Sequence, residues 1–109
     1  MRVMLDHSAP APLRQHLTGH VVTEAFERGW ERLGNGSLLT AAETAGFEVL
    51  VTSDKNIRYQ QNLKRRKIAI VVLGRGQWPA LRPHVQLVLN AVNGATPGSY
   101  IEVKIPRQA

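Results

Sequence analysis

Two aspartates stand directly after short apolar runs of the sequence. Asp6 follows the run at 3–5, and Asp54 follows the run at 49–53. Continuous apolar runs are typical of strands buried in a parallel sheet, and ligands of open α/β sheets bind beyond the carboxyl ends of such strands. Both carboxylates are therefore expected to converge at one edge of one sheet. Because convergent carboxylates either repel one another or bind a hard cation, the pattern predicts a site for Mg2+ or Mn2+.

Each aspartate also has a purely structural interpretation. Asp54 precedes a predicted helix, where an aspartate commonly caps the first turn by accepting hydrogen bonds from backbone amides. Asp6 precedes a loop that contains Pro10, and a loop aspartate commonly accepts hydrogen bonds from nearby loop amides. The spacing alone leaves the metal-binding and structural interpretations both open.

Strands alternate with helices along the whole chain. Apolar runs and an alternating tail predict five strands, at 2–5, 20–23, 49–52, 68–73 and 100–105. Helical spacing, prolines and glycines predict the intervening helices: one ending at Gly19, a short charged one over 24–33 that is broken at Gly29, one over 35–46, one after Asp54, and one from Pro79 to Gly94. This alternation predicts one domain over residues 1–109, a three-layer α/β/α sandwich around a mainly parallel sheet of four or five strands.

Composition limits the classes of protein to which the chain can belong. The chain has 109 residues, no cysteine and 43% hydrophobic residues. It has no run of about 18 apolar residues, so we expect no membrane span. The chain reaches Asp6 too early for the apolar core of a secretory signal, and we therefore expect a cytoplasmic protein. Thiolate zinc sites and disulfides are excluded because there is no cysteine.

Charge divides the chain into two unlike halves. Residues 1–54 hold four basic and seven acidic residues, whereas residues 55–109 hold ten basic residues and one acid. An acidic pocket beside a basic surface is typical of a protein that processes a polyanion, because phosphates need both metal and cationic support. The alternative is a basic face that serves solubility and has no partner.

The two aspartate motifs carry a resemblance to a known family. The opening Met1-Arg2-Val3-Met4-Leu5-Asp6 with Pro10 after it, and the central stretch Val49-Leu50-Val51-Thr52-Ser53-Asp54, resemble the motifs of the PIN-like domain family. The similarity covers nearly the whole chain and is closest to the short bacterial branch of that superfamily.

The resemblance implies an activity, a cofactor and partners. Members of the superfamily are commonly metal-dependent ribonucleases, and many are toxins of toxin-antitoxin pairs. The resemblance therefore implies a hydrolase that cleaves RNA, with Asp6 and Asp54 as catalytic and metal-binding residues and Mg2+ or Mn2+ as the cofactor. It also implies a cognate antitoxin and allows a homodimer.

The sequence departs from the family pattern at several acidic positions. Members of the family commonly have acids at three further positions. In this chain His7 stands directly after the first aspartate, Asn35 stands at the start of the middle helix, and Asn56 stands two positions after Asp54. Glu43 compensates for a missing acid only if its helix turns its side chain toward the two aspartates. Glu43 and Asn56 are the further candidate metal ligands. His7 and Asn35 are candidate neighbours of the site. Two carboxylates bind Mg2+ more weakly than a full acidic set.

Basic residues follow the second aspartate. Lys55, Arg58 and Tyr59 are predicted to contact RNA phosphates and a base near the metal. The run Lys64-Arg65-Arg66 extends this predicted surface, since each pairing with a phosphate releases counterions. The same run also fits a solvated connection between a helix and a strand. Aromatic residues are scarce, so a platform for stacking bases is not expected.

Three functions remain open at this point. The first is a divergent PIN-like ribonuclease. The second is a non-catalytic module that keeps the fold and binds RNA or a protein. The third is a receiver-like phosphate acceptor, because Asp54 follows a third strand. Against the third, His7 stands where a second acid belongs and Lys104 is predicted to lie inside the last strand rather than after it.

Overall fold

The core of the protein is a single sheet of five short strands. The computed structural model describes residues 1–57 and 65–106. The strands are β1 (Arg2–Leu5), β2 (Val21–Glu24), β3 (Val49–Thr52), β4 (Ala69–Leu73) and β5 (Tyr100–Val103). Their order is β2-β1-β3-β4-β5, and every neighbouring pair is parallel. The predicted α/β architecture is confirmed, with five strands and no antiparallel pairing within the described sheet.

Helices connect the strands. They are α1 (Asn35–Thr44), α2 (Trp78–Leu81) and α3 (Val85–Asn93), with short 3-10 helices at Ala11–His16, Ala25–Arg28 and Arg82–His84. The helix predicted to end at Gly19 is thus a 3-10 helix that ends at His16. The helix predicted over 24–33 is shorter than predicted, because β2 includes Glu24 and only Ala25–Arg28 is helical. Its predicted break at Gly29 is confirmed, since Gly29 ends the 3-10 helix with a φ of 73°. The helix predicted after Asp54 extends beyond Ile57, outside the described residues.

The sheet is covered on both faces because alternate side chains of each strand point to opposite sides. In β3, Val49 and Val51 join the cluster that includes Val88 of α3, whereas Leu50 joins the cluster that includes Leu39 of α1. All five side chains are at most 1% exposed. This double burial explains why β3 is a continuous apolar run and confirms the three-layer arrangement.

The order of the strands places a topological switch between β1 and β3. From β1 the chain crosses to β2 on one side, and it then returns through α1 to β3 on the other side. Connections at such a switch leave in opposite directions and open a crevice at the carboxyl ends of the strands. Leu5 is paired with Val51, and the amide of Asp6 donates to the carbonyl of Val51 at 3.1 Å. Asp6 is therefore held at this switch point.

The described helices are short. None of those in residues 1–57 and 65–106 has the length and apolar character needed to cross a bilayer.

Removal of a side chain from the centre of the sheet should destabilise the fold. Leu50 is fully buried, so Leu50→Ala is expected to lower the free energy of unfolding by about 2 to 5 kcal/mol. Leu87 on α3 is 40% exposed and offers the same chemical change as a control, with an expected cost of about 0.5 kcal/mol or less. Urea unfolding followed by circular dichroism measures both values. Equal losses for the two variants would contradict the position assigned to Leu50.

Candidate functional site

Asp6 is a buried carboxylate at the carboxyl end of β1. It is 4% exposed. Its Oδ1 accepts three hydrogen bonds, from the Ser8 amide at 2.9 Å, the Ser8 hydroxyl at 2.6 Å and the Ala9 amide at 3.1 Å. Its Oδ2 accepts one hydrogen bond, from the Thr52 hydroxyl. A buried carboxylate is stable only when it is hydrogen-bonded in this way, and these four bonds fold the loop after β1 back onto the strand.

Two serines tie the loop after β1 to the end of β3. The Ser8 hydroxyl oxygen accepts a hydrogen bond from the Ser53 amide at 2.9 Å, and the Ser53 hydroxyl donates to the Ser8 carbonyl at 2.9 Å. The hydroxyl oxygens of Ser8 and Thr52 lie 3.2 Å apart. Because each hydroxyl has one proton and donates it to Asp6, this contact adds no further hydrogen bond. The two loops are thus fixed relative to each other.

Asp54 is joined to Asp6 through the side chain of Thr52. The Asp54 amide donates to the Thr52 hydroxyl oxygen at 3.1 Å, while the same hydroxyl donates to Asp6. The Asp54 carboxylate accepts from the Asn56 amide at 2.9 Å on Oδ1 and from the Asn35 side-chain amide at 2.9 Å on Oδ2. Asp54 is only partly buried. We call Asp6, Ser8, Thr52, Ser53 and Asp54 the aspartate network.

The loop after β4 packs against the aspartate network. A β-carbon at Gly76 would lie 2.6 Å from the Ser53 hydroxyl oxygen and 2.7 Å from the Ser53 β-carbon. These distances are too short for any side chain, so position 76 requires glycine for close packing. The preceding residue, Arg75, is partly buried and lines a cleft of about 310 Å3 with Gly76 and Gln77. This loop therefore brings Arg75 to the same edge of the sheet as the two aspartates.

A second cleft opens on the other side of Asp6. Its volume is about 460 Å3, and its lining includes Asp6, His7, Glu24 and Phe26. His7 is exposed, as expected for a neighbour of the site. Glu24 ends β2 and is a third acid at this edge of the sheet. Its carboxylate accepts from the backbone of Glu27 and lies 3.5 Å from Arg14, so Glu24 already has partners.

Glu43 does not lie with the two aspartates. It is eight residues after Asn35 on α1, a separation of about 12 Å along a helix. Its carboxylate pairs with Arg66 at 3.3 Å, and it lines a cavity together with Ala69, the first residue of β4. Glu43 therefore belongs to the amino edge of the sheet. The structure does not bring it to the predicted metal site.

The predicted RNA-binding residues separate into three groups. Lys55 is exposed and pairs with Glu102 of β5 at 3.9 Å. Arg65 is exposed, whereas Arg66 is bound to α1 through the Thr40 hydroxyl at 2.9 Å and Glu43. The other three predicted residues lie outside the described part of the chain: Arg58, Tyr59 and Lys64.

The two aspartates offer oxygen donors of the kind that a hard cation prefers. A carboxylate oxygen has two lone pairs. Oδ1 of Asp6 already accepts three hydrogen bonds, whereas Oδ2 of Asp6 and both oxygens of Asp54 accept one each. Three oxygens thus retain capacity for a ligand. Within residues 1–57 and 65–106, no group of three or more histidine, cysteine, aspartate or glutamate residues is placed to hold a metal ion.

The receiver-like hypothesis gains one argument and keeps one objection. The last strand ends at Val103, so Lys104 lies just past β5 and the prediction that it is inside the strand is wrong. A lysine after the fifth strand suits a receiver. However, exposed His7 still occupies the position of the second acid, and the two carboxylate oxygens of Asp54 accept from asparagine groups rather than from a cation.

The fold and the site define a doubly wound, all-parallel α/β domain with two linked aspartates at its switch point. Comparison of the chain with protein-family models, with curated proteins and with solved structures finds no match.

Sequence reasoning missed the residues that hold the aspartates. Ser8, Thr52 and Ser53 are ordinary loop and strand residues in the sequence, and only their contacts reveal their role. A usable signal was present for Thr52, which is the sole polar residue of the fully buried strand β3. Buried polar side chains need partners, so its position beside Asp54 suggested a link to another polar group.

The central hydroxyl of the network can be removed with little change of shape. Thr52→Val deletes the donor to Asp6 and the acceptor for the Asp54 amide, and is expected to cost about 1 to 3 kcal/mol of the free energy of unfolding. Thr18→Val, the same change at an exposed loop residue, should cost about 0.5 kcal/mol or less. Chemical denaturation gives both values. A Thr52→Val protein as stable as the Thr18→Val control would contradict the network.

Proposed function

We propose that this protein is a divergent, metal-dependent ribonuclease of the PIN-like type. The observation that carries the proposal is the link between Asp6 and Asp54 through Thr52 at the switch point of a parallel sheet. Ligands of open α/β sheets bind at this place, and carboxylates such as those of Asp6 and Asp54 are the oxygen ligands that a hard divalent cation takes.

The residues that would hold the cation are those with free acceptor capacity. Asp6 would contribute Oδ2, and Asp54 would contribute either carboxylate oxygen. When bound, Mg2+ or Mn2+ supplies charge stabilisation of the phosphate and a more acidic water. Ser8 and Thr52 orient Asp6, because their hydroxyls fix both of its oxygens. Asn35 and the Asn56 amide orient Asp54 in the same way.

Cations at the same edge of the sheet support binding of an RNA backbone. Arg75 follows β4, Lys104 follows β5, and Lys55 follows Asp54. These three residues come from neighbouring segments on one side of the acids, and Lys104 and Lys55 are exposed. Phosphates bound there would release counterions and lie beside the aspartate network.

Removal of one carboxylate should abolish metal-dependent cleavage. Asp54→Asn keeps the size of the side chain but removes its charge, so cleavage of single-stranded RNA with Mg2+ or Mn2+ should fall at least about 100-fold, a loss typical of a lost catalytic group. Glu31→Gln makes the same chemical change at an exposed position and should cleave like the wild type. Gel analysis of labelled RNA measures the rates.

Two results would contradict the catalytic proposal. One is equal cleavage by the wild type and Asp54→Asn, which would indicate a contaminating nuclease. The other is the absence of cleavage by the wild-type protein with either metal.

A second candidate is a non-catalytic RNA-binding module. The specific observation in its favour is the saturation of Asp6 Oδ1 by three hydrogen bonds, together with the position of Glu43 at the opposite edge of the sheet. In this function the aspartate network shapes the loops, and the cations alone bind RNA. Binding would then be insensitive to EDTA.

Substitution of two lysines at opposite edges of the sheet tests where RNA binds. Lys104 lies just past β5, whereas Lys67 lies just before β4, and both are exposed. Lys104→Ala should weaken RNA binding and reduce the slope of log affinity against log salt by about 0.7 to 1. Lys67→Ala should leave both unchanged. Fluorescence anisotropy at several salt concentrations measures the slopes, and equal effects of the two variants would place the RNA elsewhere.

The proposed partners are those that the resemblance to the PIN-like family implies. They are RNA, a cognate antitoxin, and a second copy of the chain. The two edge strands expose apolar side chains on which a protein partner can pack: Val21 of β2 is 66% exposed and Ile101 of β5 is 39% exposed. Open strand edges also offer unpaired backbone groups to such a partner.

A further inference from the structure

Phe26 is exposed beside the aspartate network. It lies in the 3-10 helix Ala25–Arg28 after β2 and is 61% exposed. The other described phenylalanine and the two tryptophans are packed: Trp30 meets Phe47 at 6.3 Å between ring centroids, and Trp78 meets His16 at 5.4 Å. Tyr100 is partly buried. Among the described phenylalanine, tryptophan and tyrosine residues, Phe26 is thus the one whose side chain is mostly exposed.

The position of Phe26 connects it with the proposed site. Phe26 lines the cleft of about 460 Å3 that also contains Asp6 and His7. Small apolar residues, including Ala9 and Pro10, form another part of its lining. An aromatic ring beside an apolar wall is suited to a flat ring, and the cleft has ample room for one nucleobase.

The charges of the residues that line the cleft determine which part of a nucleotide can bind there. The described residues that line the cleft include two acids, Asp6 and Glu24, and no lysine or arginine, so the lining offers no cation to a phosphate. The cations that suit phosphates, Arg75 and Lys104, follow β4 and β5, whereas the cleft lies beside β1 and β2. A strand bound across this edge would therefore place its backbone toward β4 and β5 and one base toward Phe26.

We infer that Phe26 stacks one unpaired base of the bound RNA strand next to the aspartate network. This inference rests on the proposed function. A base in a duplex is already stacked and its face is covered, whereas a single strand can turn one base onto an aromatic side chain. Purines should bind better than pyrimidines because their larger rings stack more strongly.

Substitutions of Phe26 separate stacking from other roles. Phe26→Ala should weaken binding of oligoadenylate about 5- to 100-fold, the range found when a stacking aromatic is removed. Phe26→Tyr keeps the ring and should bind like the wild type. Phe26→Leu keeps apolar area but loses the ring face, and should bind as weakly as Phe26→Ala. Leu87→Ala removes an exposed apolar side chain from α3, which does not line the cleft, and should have no effect.

Fluorescence anisotropy in EDTA measures these affinities while the RNA stays intact. Binding of a duplex of the same length should be equal for the wild type and Phe26→Ala. The inference is overturned if Phe26→Ala binds the single strand like the wild type. It is also overturned if Phe26→Leu restores full binding, which would indicate a simple apolar contact, as with a protein partner.

The failure of the inference differs from the failure of the proposed function. A wild-type protein that binds single-stranded RNA while every Phe26 variant binds equally would overturn only the stacking role. A wild-type protein that neither binds RNA in EDTA nor cleaves it with Mg2+ or Mn2+ would overturn both.

Discussion

Burial of the Asp6 carboxylate constrains the carboxyl edge of the sheet. A charge that is 4% exposed needs hydrogen bonds to both of its oxygens, and the structure supplies them from the loop after β1 and from β3. The Thr52 hydroxyl is central because it donates to Asp6 and accepts from the Asp54 amide. Ser8 and Ser53 then lock the two loops together, and Gly76 allows the loop after β4 to pack against them.

The same interactions serve two roles. Hydrogen bonds that stabilise a buried carboxylate also fix its direction, and an oriented carboxylate is what a metal site requires. In this protein the Asp6 carboxylate uses most of its acceptor capacity in hydrogen bonds within the fold. Asp54 is partly exposed and keeps acceptor capacity on both oxygens. Asp54 is thus the more available ligand, and Asp6 the more structural of the two. A cation held here would lie between an acidic cleft on the β2 side and basic residues on the β5 side.

Much of the fold could be predicted from the sequence, because a strand buried on both faces must be apolar throughout. The bounds of β1 and β3 were predicted without error, and those of β2 and β4 to within one residue. The failures have physical causes. Glu24 belongs to β2 and not to the helix because it is the N-cap of the following 3-10 helix, and an N-cap residue has extended backbone angles, here a φ of −90° and a ψ of 146°.

The site was predictable only in outline. The positions of Asp6 and Asp54 at strand ends follow from the apolar runs before them. By contrast, the place of Glu43 depends on the direction of α1, which runs from Asn35 beside Asp54 toward the amino edge of the sheet. Hydrogen bonds between residues 44 or more positions apart, such as those of Ser8 with Ser53 and Thr52 with Asp6, require the tertiary structure.

The most direct test of the account is a crystal structure of the protein grown with Mn2+ and measured at the manganese absorption edge. The account predicts one anomalous peak, with Oδ2 of Asp6 and a carboxylate oxygen of Asp54 within about 2.0 to 2.3 Å of the ion, as for hard divalent cations on oxygen ligands. An aspartate network that keeps all its hydrogen bonds and holds no Mn2+, in crystals with saturating metal, would contradict it.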